Sequence, residues 1–364
     1  KRIIKKKIIK NFDNFEKIYN VLEKEAIDCS MKLIKMNLSL LGVEHNNFIN
    51  ESKLIKNKTV EKIVKKLEKK KFIYKGKLKE PKGDLNKNWK TRDQLLFKSS
   101  LFGDDTDRAL QKEDGSWTYF AGDLGYHSHK ISRKFDVLIN VLGADHAGYI
   151  KRIVSATKAI SNNKVDLLCK VSQLVKLFKN GEPFKMSKRK GDYITAEDLI
   201  NQIGKDSVRF MMLSRSNDAE LEFDFKQVTE KSKDNPVFYV QYAYARINSI
   251  FKLSKLNIKK KIKIRKDEFF LNKHEIEIIK KISEWPKCVE ISTNKLEPHR
   301  ITFYLYDLVT LFHAYWNLGK ENKEFRFVGD SNKINYSRLL LLQTLGIVIE
   351  NAMSILGVST PKSM

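Results

Sequence analysis

The hydrophobic period of this chain changes once, near residue 233, and that change constrains the fold more than any single motif. Before it, short β-branched runs alternate with stretches that repeat every three to four residues. "DVLINVLG" (Asp136–Gly143) is an apolar run suited to a strand buried in a parallel sheet, "AGYIKRIVSATKAI" after it reads as a helix, and "DLLCKVSQLVKL" as a further strand region. "SWTYF" predicts a strand that contains Tyr119, followed by a helix, "DLGYHSHKISRKF", opening at Asp123. Alternation of this kind argues for a doubly wound, Rossmann-like α/β sheet. After residue 233 the pattern is all-helical. Asn235 is a candidate N-cap with Pro236 at the first helical position, and Val237, Val240, Tyr244, Ile247 and Phe251 form one apolar stripe. "EPHRITFYLYDLVTLFHAYW" repeats the pattern with Ile301, Leu305, Leu308 and Phe312.

The amino-terminal stretch is mixed. Residues 15 to 42 have helical periodicity and stop at Gly42, "HNNFIN" predicts a short strand, "SKLIKNKTVEKIVKKLEKKKF" a second helix with a solvated lysine face, and "YKGKLKE" a small ribbon. Thr195 and Asp198 have the spacing of a capping box. A chain of 364 residues accommodates two or three domains. The expected division is a mixed α/β insertion over 1–80, a Rossmann-like domain over 81–232, and a helical bundle over 233–364.

Charge narrows the partners. The formal net charge is +26, a field that favours polyanions, although heavy use of Lys, Asn and Ile throughout would also follow from an AT-rich genome. An apolar fraction of 41% argues against disorder. Cys29, Cys169 and Cys288 are too far apart in sequence for metal-ligand spacing and odd in number, which fits a reducing cytoplasm. "KRIIKKKIIK" leads into no apolar h-region, and Leu339 to Val358 is interrupted by Gln343, Glu350 and Asn351, so it reads as a buried helix and no membrane partner is expected.

Three stretches carry chemistry. In "VLGADHAGYIKRI" a strand ends at Gly143, and Asp145 and His146 follow before a helix. Ligands of open α/β sheets bind beyond the carboxyl ends of strands, where Gly143 admits close approach and Asp145 can accept from ribose hydroxyls. An ordinary turn with Asp as a cap has the same pattern. In "WTYFAGDLGYHSHK", Asp123 reads either as an N-cap or as an acid facing a cationic substrate; His127 and His129, two apart on a helix, make a poor metal pair. In "PFKMSKRKGDYIT", Lys185, Lys188, Arg189 and Lys190 lie on a turn closed by Gly191, suited either to solvation or to meeting phosphate oxygens. Neither a P-loop nor a GxGxxG pattern occurs.

Taken in order, "GADH", "KMSK", "YFAGDLGYH", "NPVFYVQYAYARI", "LEPHRITFYLYDLVTLFHAYWN" and "ILGVSTPKSM" resemble class I aminoacyl-tRNA synthetases, and within them the arginyl-tRNA synthetases, from about residue 20 onward. The resemblance implies ATP, used with Mg²⁺, and L-arginine as substrates and the tRNA for arginine as partner, in a monomeric cytoplasmic ligase without a tightly bound metal. It implies that Lys185, Met186, Ser187 and Lys188 form the signature loop on the pyrophosphate side of ATP. Gly143, Asp145 and His146, with Lys188, would bind ATP, and Tyr119 and Asp123 would line the pocket for the arginine side chain. The helical region would hold the anticodon, with Tyr239, Tyr242, Arg246, His313 and Trp316 as contact candidates; aromatics at helical spacing also serve as core.

One departure stands out. The class has a second signature, HxGH, and none occurs among the seven histidines. In the family it precedes the insertion with which this chain starts, so a carboxy-terminal portion unable to adenylate arginine unaided is the expectation. The alternative is a non-catalytic tRNA-binding protein derived from a class I synthetase, against which the intact Lys185–Lys188 motif counts.

Overall fold

The computed structural model describes residues 15–78, 92–179, 181–184, 194–263, 271–328 and 335–364. Along the chain run α1 (Phe15–Leu40), α2 (Glu51–Lys56), α3 (Thr59–Lys69), β1 (Ile73–Gly76), β2 (Gln94–Phe97), β3 (Arg108–Ala109), α4 (Tyr119–Ser132) and β4 (Val137–Gly143). Then come α5 (Ile150–Ser161), β5 (Asp166–Ser172), β6 (Val175–Lys179), β7 (Glu182–Pro183), α6 (Ala196–Ile203), α7 (Lys205–Leu213), β8 (Leu221–Asp224) and α8 (Phe225–Thr229). The remainder is helical: α9 (Pro236–Leu253), α10 (Lys273–Ser283), α11 (Trp285–Lys295), α12 (His299–Glu321) and α13 (Tyr336–Leu356). The chain forms two compact units that are not contiguous in sequence: Asn46–Leu174 with Asn217–Ala219, and Lys1–His45 with Val175–Ser216 and Glu220–Met364.

In the unit built around Asn46–Leu174, β1, β2 and β3 form an antiparallel sheet, while β4 and β5 pair in parallel from Val137↔Asp166 to Gly143↔Ser172. Val60, Ile63, Val64 and Leu67 of α3 pack with Phe120, Ala121 and Leu124 of α4 and with Ala156, Ala159 and Ile160 of α5. Helices α3 and α4 cross at Gly125, where a Cβ would lie 3.0 Å from Val60 Cγ2. Four expectations are corrected here. "HNNFIN" forms no strand; it is an irregular segment ending in Asn50, whose side chain caps α2. The lysine-rich helix is two helices, broken where Lys58 takes a left-handed φ of 51°. Tyr119 is not in a strand: Trp117 makes a single bridge to Gln111, and Thr118 caps α4 through the Ala121 N–H. The Thr118 hydroxyl also donates to the Ala109 carbonyl, so local capping overrides the strand propensity of "WTYF". Finally, β4 is not buried on both faces: Leu138 and Asn140 are buried, whereas Val137, Ile139 and Val141 are exposed.

In the other unit, β6 pairs antiparallel with β7 and parallel with β8. The Thr195–Asp198 capping box is present at α6. Asn235 caps α9 with Pro236 in its first turn, and the expected stripes of α9 and α12 are all buried, packed with Leu342, Leu345 and Ile349 of α13. α13 is long and apolar enough to cross a membrane, but its apolar stretch is 61% buried, as befits a core helix. A buried Glu275 on α10 accepts from Tyr315 at 2.6 Å and from Arg338 at 2.5 Å, joining α10, α12 and α13. Arg209 on α7 closes two helix ends at once: its Nε donates to Leu356 O at 2.9 Å and its Nη1 to Leu41 O at 2.8 Å. Gly357 has φ +67°, and a Cβ there would sit 2.7 Å from the Arg209 guanidinium. The left-handed glycine both ends α13 and admits the arginine.

Candidate active site and nucleic-acid interface

A cavity of about 600 Å³ opens between α4, the end of β4 and the 3-10 turn Ala144–Tyr149, lined among others by Tyr119, Asp123, Lys130, Asn140, His146 and Tyr149. Because Thr118 caps α4, Asp123 is not the N-cap; it stands in the second turn and faces this cavity, half-buried. Tyr149 donates to Asp123 Oδ2 at 2.7 Å. Tyr119 is 87% exposed, and the Lys112 ammonium lies 5.7 Å from its ring centroid, so it can serve the cavity only as part of its mouth.

Behind Asp123 runs an ordered polar chain. Lys130 Nζ donates to Asn140 Oδ1 at 2.7 Å, the Asn140 amide meets His127 Nε2 at 3.1 Å, and His127 Nδ1 meets the Asp123 carbonyl at 2.9 Å. These partners assign the His127 proton to Nδ1, since Nε2 receives an N–H. Burial pushes the His127 pKa down and keeps the ring neutral. Burial and then Arg133 lower Lys130, whose ammonium also rests 4.6 Å from the Tyr126 ring centroid. Lys130 thus makes its hydrogen bond to Asn140 and rests against Tyr126, while its charge still acts on Asp123 through space. Among the described residues no group of three or more His, Cys, Asp or Glu side chains comes together as a metal site.

Asp145 and His146 lie in the 3-10 turn that follows β4. Asp145 makes no cap hydrogen bond; its carboxylate is 80% exposed and lies 3.5 Å from His146 Nε2. A Cβ at Gly143 would come 2.7 Å from Asp145 Oδ1, so any side chain there displaces the carboxylate. Lys185, Met186, Ser187 and Lys188 lie outside the described residues. The residues the sequence did not single out here are Tyr126, Lys130, Asn140 and Tyr149. Asn140 had a visible signal, a lone amide inside an apolar strand; Tyr149 had none, because its partner is 26 residues away.

In the helical region the five contact candidates cluster. The Arg246 guanidinium lies 4.1 Å from the Tyr242 ring centroid and 4.9 Å from that of Trp316. Its Nη1 donates to His313 Nδ1 at 2.9 Å, and His313 Nε2 donates to the Tyr239 carbonyl at 3.1 Å. His313 is 4% exposed, so it supports Arg246 from beneath and offers no face to a base, whereas Tyr239, Tyr242, Arg246 and Trp316 are half-buried.

Residues 113–224 match the model of tRNA synthetases class I (I, L, M and V), and residues 240–364 that of the DALR anticodon binding domain. The arginine–tRNA ligase of Pelagibacter ubique is 55% identical over 364 residues, all of this chain and 63% of that protein. That of Roseobacter denitrificans is 47% identical over 344 residues, 93% of this chain and 59% of that protein. A structure described as an arginyl-tRNA synthetase from Campylobacter jejuni superposes with a TM-score of 0.79 at 29% identity, covering 96% of this chain and 71% of the other. The Thermus thermophilus arginyl-tRNA synthetase, at 16% identity, shares the fold with a TM-score of 0.74 over 97% of this chain and 68% of its own.

Proposed function

Because this chain belongs to the class I arginyl-tRNA synthetase family, we propose that its residues serve an arginine–tRNA ligase: MgATP-dependent formation of arginyl-adenylate, then transfer of the arginyl group to the 3′ terminal adenosine of the tRNA. The observation that carries the reading is Asp123, a half-buried carboxylate that faces a cavity of about 600 Å³ and makes no salt bridge there among the described residues, the Lys130 ammonium being hydrogen-bonded to Asn140. A guanidinium presents planar donors, and a carboxylate accepts them in parallel. Tyr119 would close the mouth over the side chain.

The chemistry assigns the other residues. The arginine carboxylate attacks the α-phosphorus, pyrophosphate leaves, and charge gathers on phosphate oxygens, where fixed cations act. Lys185 and Lys188, with Met186 and Ser187 shaping the loop, would supply those cations. Gly143 would let ATP approach the strand end, Asp145 would accept from its ribose, and His146 would lie beside it. Tyr239, Tyr242, Arg246 and Trp316 would contact unpaired anticodon bases, with His313 holding Arg246 in place. The same reading makes the protein a cytoplasmic monomer that needs no membrane.

Calorimetric titration with L-arginine tests the central assignment. Asp123→Asn is expected to weaken arginine binding by at least about thirtyfold, the cost of leaving a buried charge without its partner. Unchanged affinity in that variant would remove Asp123 from the site.

A further inference from the structure

The acid that receives the substrate's cation needs a fixed direction, and a carboxylate on its own turns broadly about its terminal bond. We propose that Tyr149 is a positioning residue for side-chain recognition: its hydroxyl anchors Oδ2 of Asp123 and aims Oδ1 at the incoming guanidinium. The inference rests on reading Asp123 as the guanidinium acceptor. It is carried by the 2.7 Å contact from Tyr149 to Asp123 Oδ2, and both side chains line the same cavity.

The choice of a phenol has a physical reason. Arginine or lysine at this place would orient Asp123 equally well, but would also neutralise it and compete with the substrate's own charge. A neutral hydroxyl supplies a charge-assisted hydrogen bond while leaving the full negative charge for the ligand. The phenol is a dependable donor, because burial first and Asp123 second raise its pKa well above the ordinary tyrosine value. Its ring is held in turn. Phe120 packs edge-on with centroids 6.5 Å apart, and the Arg152 guanidinium lies 5.3 Å from the ring centroid. Tyr149 also ends the turn that carries Asp145 and His146, so one hydrogen bond ties the strand-end turn to the pocket on α4.

The test compares arginine with citrulline, which has nearly the same shape but a neutral ureido group, by titration into the wild-type chain, Tyr149→Phe, Phe120→Leu and Asp123→Asn. Tyr149→Phe is expected to bind arginine about tenfold more weakly, the effect of losing one charge-assisted hydrogen bond, with citrulline little changed. The arginine-to-citrulline preference therefore falls about tenfold. Phe120→Leu loosens the packing behind the Tyr149 ring but keeps the hydroxyl, so it lowers the thermal midpoint and reduces the preference by less than Tyr149→Phe does; an equal or larger loss of preference in Phe120→Leu would assign the effect to packing and overturn the hydroxyl's role. Equal weakening of both ligands by Tyr149→Phe, or no weakening, overturns the positioning role while Asp123 remains the acceptor. If the wild-type chain shows no preference, or Asp123→Asn retains it, the assignment of Asp123 fails and Tyr149 falls with it.

Discussion

Burial leaves His313 neutral, and its pKa is pushed down to about 4, opposed by the Tyr239 carbonyl and reinforced by Arg246. The sign follows from proton uptake. As pH falls from about 6.5, the unfolded chain takes up a proton that the folded ring refuses, so stability declines until about pH 4 and no further from this group. The loss is on the order of 3 kcal/mol. Urea unfolding of the wild-type chain and of His313→Gln at neutral and acid pH should show a smaller acid loss in the variant; equal losses would exclude His313 as the source. The sequence did offer Tyr239, Tyr242 and Arg246 on one helix, and His313 and Trp316 on another, as contact candidates. It could not show that the imidazole lies under the guanidinium, because that depends on how α9 and α12 cross. Asp123 was visible as an acid after "YFAG", while its partner Tyr149 and the Lys130–Asn140–His127 chain arise from contacts between segments with no shared pattern.

Caps and stripes were the most legible elements, because each is decided within a few residues. Asn235 shows how much one cap can do. Its side-chain oxygen accepts from Phe238 N–H, and its amide donates to Val228 O at 2.9 Å and Glu230 O at 2.8 Å. Asn235→Ala is expected to cost about 2–3 kcal/mol by thermal or urea unfolding, since it removes the cap and strands buried carbonyls. Asn235→Asp keeps the cap acceptor but turns a carboxylate toward two carbonyls. It should therefore be no more stable than the alanine variant, and full rescue by aspartate would show that the two amide bonds contribute little. "SWTYF" was misread for the opposite reason. Its residues favour strands, but Thr118 holds both the Ala109 carbonyl and the Ala121 N–H, and that pair of bonds starts α4 at Tyr119.

At the scale of the whole molecule, the change of period near residue 233 did separate a mixed α/β region from a helical one. It gave no sign that Val175–Ser216 gathers with the helices and with Lys1–His45. Such grouping depends on contacts between distant segments. The net charge of +26 belongs to this scale as well. If the chain holds tRNA through phosphates, apparent affinity should fall on the order of 10³-fold between roughly 50 and 200 mM salt. Filter binding over that range checks it, and a flat response would assign the excess lysine to composition alone. Arg209 adds a matter of timing. It lies 168 residues after Leu41, and Leu356 lies another 147 beyond it. At about 5–20 residues per second, roughly half a minute separates the emergence of the first of these helix ends from the last. The Asn46–Leu174 stretch can pack while translation continues, but α1 must wait on the ribosome for both its clasp and its neighbour. The carbonyl end of α1 thus gains its Arg209 partner only after the Asn46–Leu174 stretch has been made.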